Sequence, residues 1–447
     1  MRITTLLFFI LLTITVSGQS KKVLDNVLTV AVYNNSKNYI PLGYGNADLC
    51  EAARKFKSTV GASEIGTGFI YRYKNIPYLV TSAHVVDAVS KTKGKIKAFD
   101  RYENEYILEL VGGDTFYDVA VLKFKKGSET NQFQGLKFGK ATEKLKVIAA
   151  GGSIGNVKGT ILKEVVFPDS EKFISKHNNY LKSSTKVTRG YSGGPLCTIE
   201  SEVVGINICR NKTHEAAYAL KSQYAEKHIK QIIINGRVNR AFLGFEWKQS
   251  KFENKSPTIA NVLPNSPAST YKKYVGYELV KINKYPITSI FEALQRFEQL
   301  TPNQKITLTL SKKGVNTTIT LVTKILDIKA LENIATYTFL NHSKYYIKSF
   351  SKKETTYVKS TIYHLKKGSK ITKYDRLDII QSVGIGEWSR MYQIIDLKDI
   401  GITIRLCSIF GEPIAVRSKK QNTTAVPIQP KKFKLYDDEN SHRVLYF

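Results

Sequence analysis

Between Gly66 and Ile208 the sequence is a succession of short β-forming runs, each stopped by glycine, asparagine or aspartate. Examples are Tyr78-Leu79-Val80-Thr81, Tyr106-Ile107-Leu108-Glu109-Leu110 and Val119-Ala120-Val121-Leu122. Short strands at near-regular spacing with turn residues between them restrict this stretch to an all-β barrel or sandwich. A further strand-like run, Val27 to Val32, precedes it. The two are separated by a polar stretch that reaches about Gly61 and holds Cys50 and a helical-looking 51–57.

A helix closes this region. Ser222 is a plausible N-cap, Ala225, Ile229, Ile232 and Ile233 form one apolar stripe, and Asn235-Gly236 supplies the stop. After Gly236 the pattern changes. Phe242-Leu243-Gly244-Phe245 opens a smaller unit with a helix from Ile290 to Leu300. That unit ends in a hairpin, Ile306 to Leu310 and Thr318 to Val322, turned near Lys312-Lys313-Gly314. Region 330–425 repeats part of this grammar, since Arg376 to Val383 echoes Val275 to Asn283. From Val426 a tail containing proline and lysine reads as poorly ordered and flexible. With 447 residues, several domains are expected.

The N-terminus pairs a basic Arg2 with an apolar run from Leu6 to Val16 and a small-residue exit, Ser17-Gly18. This is the layout of a cleaved signal peptide over 1–18, and the run is short for a membrane span. A secreted or periplasmic location at the cell envelope follows. Four cysteines (Cys50, Cys197, Cys209, Cys407) are too few for a disulfide scaffold and lack zinc-site spacing. The formal charge of +31 is spread along the chain without a basic block. It therefore reads as solubility and affinity for anionic surfaces, and no nucleic-acid partner is expected.

Three segments carry chemistry. In Gly190-Tyr191-Ser192-Gly193-Gly194-Pro195-Leu196, flanking glycines let the backbone turn sharply and approach a substrate. The N–H groups of Gly190 and Ser192 can converge there as an oxyanion hole. His84, in Thr81-Ser82-Ala83-His84-Val85-Val86, follows an apolar strand, where its ring can project into a cleft. Asp118 stands at the entrance to the strand Val119 to Lys123, where a carboxylate needs a partner such as a histidine N–H. Asp114, after Gly112-Gly113, competes for that role but reads as a turn residue.

Taken in order, these segments resemble the HtrA/Deg family of trypsin-like serine proteases. Gly66-Thr67-Gly68-Phe69-Ile70, Val203-Val204-Gly205-Ile206-Asn207 and Ala217-Tyr218-Ala219-Leu220 extend the likeness, which covers about 25–325. The resemblance implies a mostly β chain, with a trypsin-like double β-barrel over 19–238. The catalytic triad would be His84, Asp118 and Ser192, needing no metal or organic cofactor. Residues 239–326 resemble a PDZ domain whose Leu243-Gly244-Phe245 loop holds a peptide C-terminus, and 330–425 a degenerate PDZ-like unit. Relatives carry asparagine and proline where this chain has Tyr191 and Arg189, which puts access to the oxyanion loop in question. Digestive relatives carry aspartate at the position of Tyr191, so their zymogen switch is not expected. Lys186, six residues before Ser192, reads as a solvated surface lysine rather than as part of the primary specificity pocket.

The resemblance further implies a homo-oligomer, a trimer or a multiple, acting on unfolded or misfolded proteins. Two rivals remain: a peptide-binding scaffold or chaperone that only looks like a protease, and a processing protease with one substrate. An intact triad and glycine turn count against the scaffold.

Overall fold

A computed structural model describes residues 21–33, 59, 61–86, 94–165, 179–211, 216–250, 255–334 and 337. It also describes the strand segments 376–381, 388–393, 414–417, 432–433 and 442–446. The sequence readings for 1–18, Cys50, 51–57 and Cys407 lie outside these residues. The chain divides into two units, Met1–Val238 and Asn239–Phe447.

In the first unit, β1 (Val27–Tyr33), β2 (Glu64–Tyr73), β3 (Ile76–Thr81), β4 (Lys95–Phe99), β5 (Glu105–Asp114) and β6 (Val119–Phe124) form a closed antiparallel barrel in the order β1-β2-β3-β6-β5-β4. Alternating side chains fill it. Leu28, Val30 and Val32 of β1 meet Ile70, Leu79, Leu108 and Leu122, with Phe133 from beyond β6 among them. Each such side chain withdrawn from water stabilises the fold by about 1.5–3 kcal/mol before entropy is counted.

A second set follows: β7 (Lys137–Phe138), β8 (Lys146–Ala150), β9 (Asn156–Val165), β10 (Tyr180–Ser183), β11 (Pro195–Thr198), β12 (Glu202–Asn211) and β13 (Ala216–Lys221). Their order is β11-β8-β9-β10-β13-β12, and a β11–β12 pairing closes the ring, while β7 adds in parallel to β12. This is a trypsin-like double barrel. Val147, Ile161, Leu181, Leu196, Val204 and Ala219 fill the second core.

Helix α1 (Ser222–Asn235) packs on β5, β6 and β12, burying Ala225, His228, Ile229 and Ile232. Gly236 ends it in the left-handed conformation. The N-cap is Lys221 rather than Ser222. Ser222 Oγ donates to the Gly139 carbonyl at 2.6 Å, and this tertiary bond outcompetes a local cap.

In the second unit β14 (Ala241–Phe242) pairs with β21 (Lys324–Ile325). The main sheet combines β15 (Phe245–Ser250), β16 (Thr258–Val262), β17 (Glu278–Ile282), β19 (Lys305–Lys312) and β20 (Val315–Val322), with β18 (Tyr285–Pro286) on β17. Lys313 and Gly314, both at positive φ, make the two-residue turn between β19 and β20. Helix α2 (Ile290–Gln299) is capped by Ser289, whose Oγ accepts from the Glu292 N–H; the Glu292 carboxylate in turn accepts from Thr288. β22 (Arg376–Gln381), β23 (Trp388–Gln393), β24 (Ile414–Arg417) and β25 (Lys432–Phe433) form a separate four-stranded antiparallel sheet.

The segment read from sequence as a flexible tail holds paired structure. Residues 432–433 join that four-stranded sheet, and β26 (His442–Tyr446) pairs with β15. Its β-forming run gains order only from a partner edge, which local composition does not reveal.

Candidate active site

The register of the first barrel sets Thr81, the last residue of β3, beside Ala120 of β6. A helical turn at 83–86 follows β3, and a turn at 115–118 precedes β6. His84 and Asp118 therefore meet at one barrel end. Asp118 Oδ1 accepts the His84 backbone N–H at 2.9 Å, and the ring Nδ1–H donates to Oδ2 at 2.7 Å. Both side chains are largely covered, 11% and 4% exposed. A carboxylate this buried needs hydrogen bonds on both oxygens, and His84 supplies them. With Nδ1–H committed to Asp118, Nε2 keeps its lone pair and can act as a base.

Behind this pair lies a layer that the sequence does not reveal. Tyr117 stacks on His228 of α1, with ring centroids 4.8 Å apart. The Tyr117 hydroxyl accepts from Asn179 Nδ2 at 3.4 Å. Asp114, the last residue of β5, accepts the Phe116 N–H at 3.2 Å and approaches His228 Nδ1 at 3.9 Å. Its bond two residues onward is that of a turn-forming aspartate. His228 arrives from a helix far along the chain, so only its burial on the apolar stripe of α1 signals a role.

Ser192 is placed by main-chain contacts. Its carbonyl accepts the Thr67 N–H at 2.9 Å, and Thr67 Oγ1 donates to the Gly190 carbonyl at 2.6 Å. Gly193 has φ +84°, and a Cβ there would collide with Thr81 Oγ1 and the backbone of Thr67 and Ser82. The turn thus packs against the strand end that leads to His84. The N–H of Tyr191 donates to the Thr188 carbonyl, that of Gly193 to Asn207 and that of Gly194 to Tyr191. Among the described residues no main-chain carbonyl takes the N–H of Gly190 or Ser192. Those two donors suit an oxyanion hole. The Tyr191 ring is buried against Gly151, whereas Arg189 and Lys186 are exposed.

Glu64, the first residue of β2, has its carboxyl pushed up to about 7 by burial, against the opposing pull of His84 and Arg189. It is a titrating group beside the histidine. Sequence reading missed it, because a glutamate opening a strand carries no local signal.

In the second unit Leu243 and Phe245 are buried, and Gly244 has φ +91° with no room for a Cβ beside Ser266. The carbonyls of Leu243 and Gly244 accept the N–H groups of Ala268 and Leu263 at 2.9 and 2.8 Å. Arg240, just before the loop, pairs with Glu298 of α2 at 3.1 Å.

Residues 66–206 match the family model described as a trypsin-like peptidase domain. Together with the double barrel, this marks a trypsin-like peptidase domain in the first unit. The chain is similar to serine endoproteases of the DegS, DegP and HtrA type. It is 24% identical over 278 residues to the serine endoprotease DegS of Haemophilus influenzae, covering 60% of this chain and 79% of that one. To a probable periplasmic DegP-like serine endoprotease of Marinomonas it is 27% identical over 277 residues, covering 58% and 56%. The chain thus spans little more than half of the latter's length. Among solved structures, the HtrA-type protease AlgW with decapeptide shares the fold at a TM-score of 0.54 and 19% identity, covering 69% of this chain and 98% of that one.

Proposed function

We propose that this chain is an endopeptidase of the cell envelope that cleaves unfolded or misfolded proteins through a triad of His84, Asp118 and Ser192. The observation that carries this reading is the pair of hydrogen bonds that Asp118 accepts from His84, at 2.9 and 2.7 Å, beside the Ser192 turn. In the proposed reaction His84 Nε2 takes the Ser192 hydroxyl proton as Oγ attacks the scissile carbonyl. Asp118 holds the imidazole and stabilises the imidazolium. The carbonyl oxygen, now an oxyanion, is met by the N–H groups of Gly190 and Ser192. His84 returns its proton to the leaving amine, and the acyl-enzyme forms. Water activated by the same histidine then releases the acid.

The relatives are named serine endoproteases, one of them periplasmic, which supports the envelope location and the signal-peptide reading of 1–18. In the second unit, we assign 239–326 as a PDZ-type module whose Leu243-Gly244-Phe245 loop takes peptide ends. Its backbone turn at Gly244 supports this. A peptide would add as a strand along β15. We extend the proposal to a homo-oligomeric assembly, a trimer or a multiple.

A fluorophosphonate probe tests the triad. Wild-type protein given an activating peptide should label at Ser192, and Ser192→Ala should not. Failure to label under any peptide would favour a scaffold or chaperone, and cleavage of one partner only would favour a dedicated processing role.

A further inference from the structure

The sheet of the second unit would end at β15, leaving a row of main-chain N–H and C=O groups open to pairing. That edge is taken by the chain's own segment 442–446. The pairing is antiparallel, running from Glu246↔Tyr446 through Lys248↔Val444 to Ser250↔His442. Tyr446 therefore lies at the end of β15 next to the Leu243–Phe245 loop, and His442 at the far end. Helix α2 contacts both β15 and β26, so the added strand runs along the helix as well as the sheet. A peptide docking by strand addition with its C-terminal end at the loop would use the same edge in the same direction.

We propose that segment 442–446 is an intramolecular ligand of the peptide-docking edge, and that outside peptides bind the second unit only by displacing it. The inference rests on the peptide-docking reading of 239–326 given above. On the order of a hundred residues separate Ile334 from His442, a tether that still presents the segment at an effective concentration well above that of most free peptides. An outside ligand therefore meets a groove that is open only part of the time, and its apparent affinity falls by that fraction. The partner that this edge selects has the chemistry of the segment it already holds, an extended peptide of basic and apolar residues. Exposed ends of unfolded chains with that character would free the edge, and acidic ends would not.

The test uses the full chain and a double variant, Val444→Pro with Leu445→Pro. Proline removes main-chain donors from the strand without touching β15. The probe is a fluorescein-labelled hexapeptide with the sequence of 442–447 and a free carboxylate. Anisotropy should show at least tenfold tighter binding to the variant than to wild type. Hydrogen exchange should show the amides of 442–446 protected in wild type, and those of 245–250 deprotected in the variant. Equal affinity for both proteins, or unprotected 442–446 amides in wild type, would overturn self-occupancy while leaving peptide docking intact. Protected amides in wild type with no binding to the variant at millimolar peptide would overturn the docking reading, and the inference with it. Far-ultraviolet circular dichroism of the variant verifies that it folds.

Discussion

On the first barrel, His84 is held by a side chain, the nearly buried Asp118 carboxylate, which accepts both its ring N–H and its main-chain N–H. On the second, Ser192 is held through its turn's own main chain: its carbonyl takes the Thr67 N–H, the Gly190 carbonyl takes the Thr67 hydroxyl, and Gly193 admits no Cβ. The difference separates chemistry from placement. A change to a reacting side chain should alter reactivity and spare the fold, while a change in the main-chain turn that carries Ser192 should damage geometry and stability together.

The largest effect expected is from His84→Ala or Ser192→Ala, each lowering turnover by on the order of 10⁶ with little change in denaturation midpoint. Steady-state cleavage of an unfolded protein, alongside urea unfolding, measures both. Asp118→Asn should reduce turnover by about 10⁴, since it would hold the imidazole in the wrong tautomer. Asp114→Asn, acting on a turn, should cost far less; the opposite ranking in kinetic assays would remove Asp118 from the proposed triad. Gly193→Ala should cut turnover by roughly 10³, as for a lost oxyanion donor, and destabilise the chain by about 3 kcal/mol through strain and collision. If its unfolding midpoint is unchanged, the distinction between reacting side chain and main-chain turn fails.

The smallest effect concerns pH. Burial raises the Glu64 carboxyl from 4.5 to about 7, so the folded chain holds a proton that the unfolded chain has released between those values. Stability from this group is full below pH 4.5 and declines as pH rises through 7. The shift caps the loss near ~3 kcal/mol, and the partial exposure of Glu64 lowers it further. Unfolding midpoints between pH 5 and 8 should show this slope in wild type and its absence in Glu64→Gln.

What sequence reveals here tracks how local the determinant is. The strands around Leu79, Leu108 and Val121 announce themselves by residue type and turn spacing. So does the β19–β20 turn at Lys313-Gly314, where a positive-φ position selects Gly314. The motifs around His84, Asp118 and Ser192 are each a few residues long, so each is legible as a candidate from its neighbours, and their order along the chain joins them. The Tyr117–His228 stack is not, because a helix from the end of the second barrel completes it. Nor is the pairing of 442–446 with β15, which joins segments nearly two hundred residues apart in a chain whose β-runs carry no address. Ser222 shows the same limit on a smaller scale, as a distant carbonyl at Gly139 takes the hydroxyl that a local rule assigns to the helix.

Trp247 of β15 stacks on Phe297 and is wholly buried; its indole Nε1 lacks a hydrogen-bond acceptor among the described residues. The chain has only one other tryptophan. An indole in dry, apolar surroundings emits towards the blue, and water reaching it shifts the emission red. Trp247 is thus a built-in optical gauge, set in the strand on which 442–446 rests. Loosening of that edge can be followed as a colour change in the unlabelled protein.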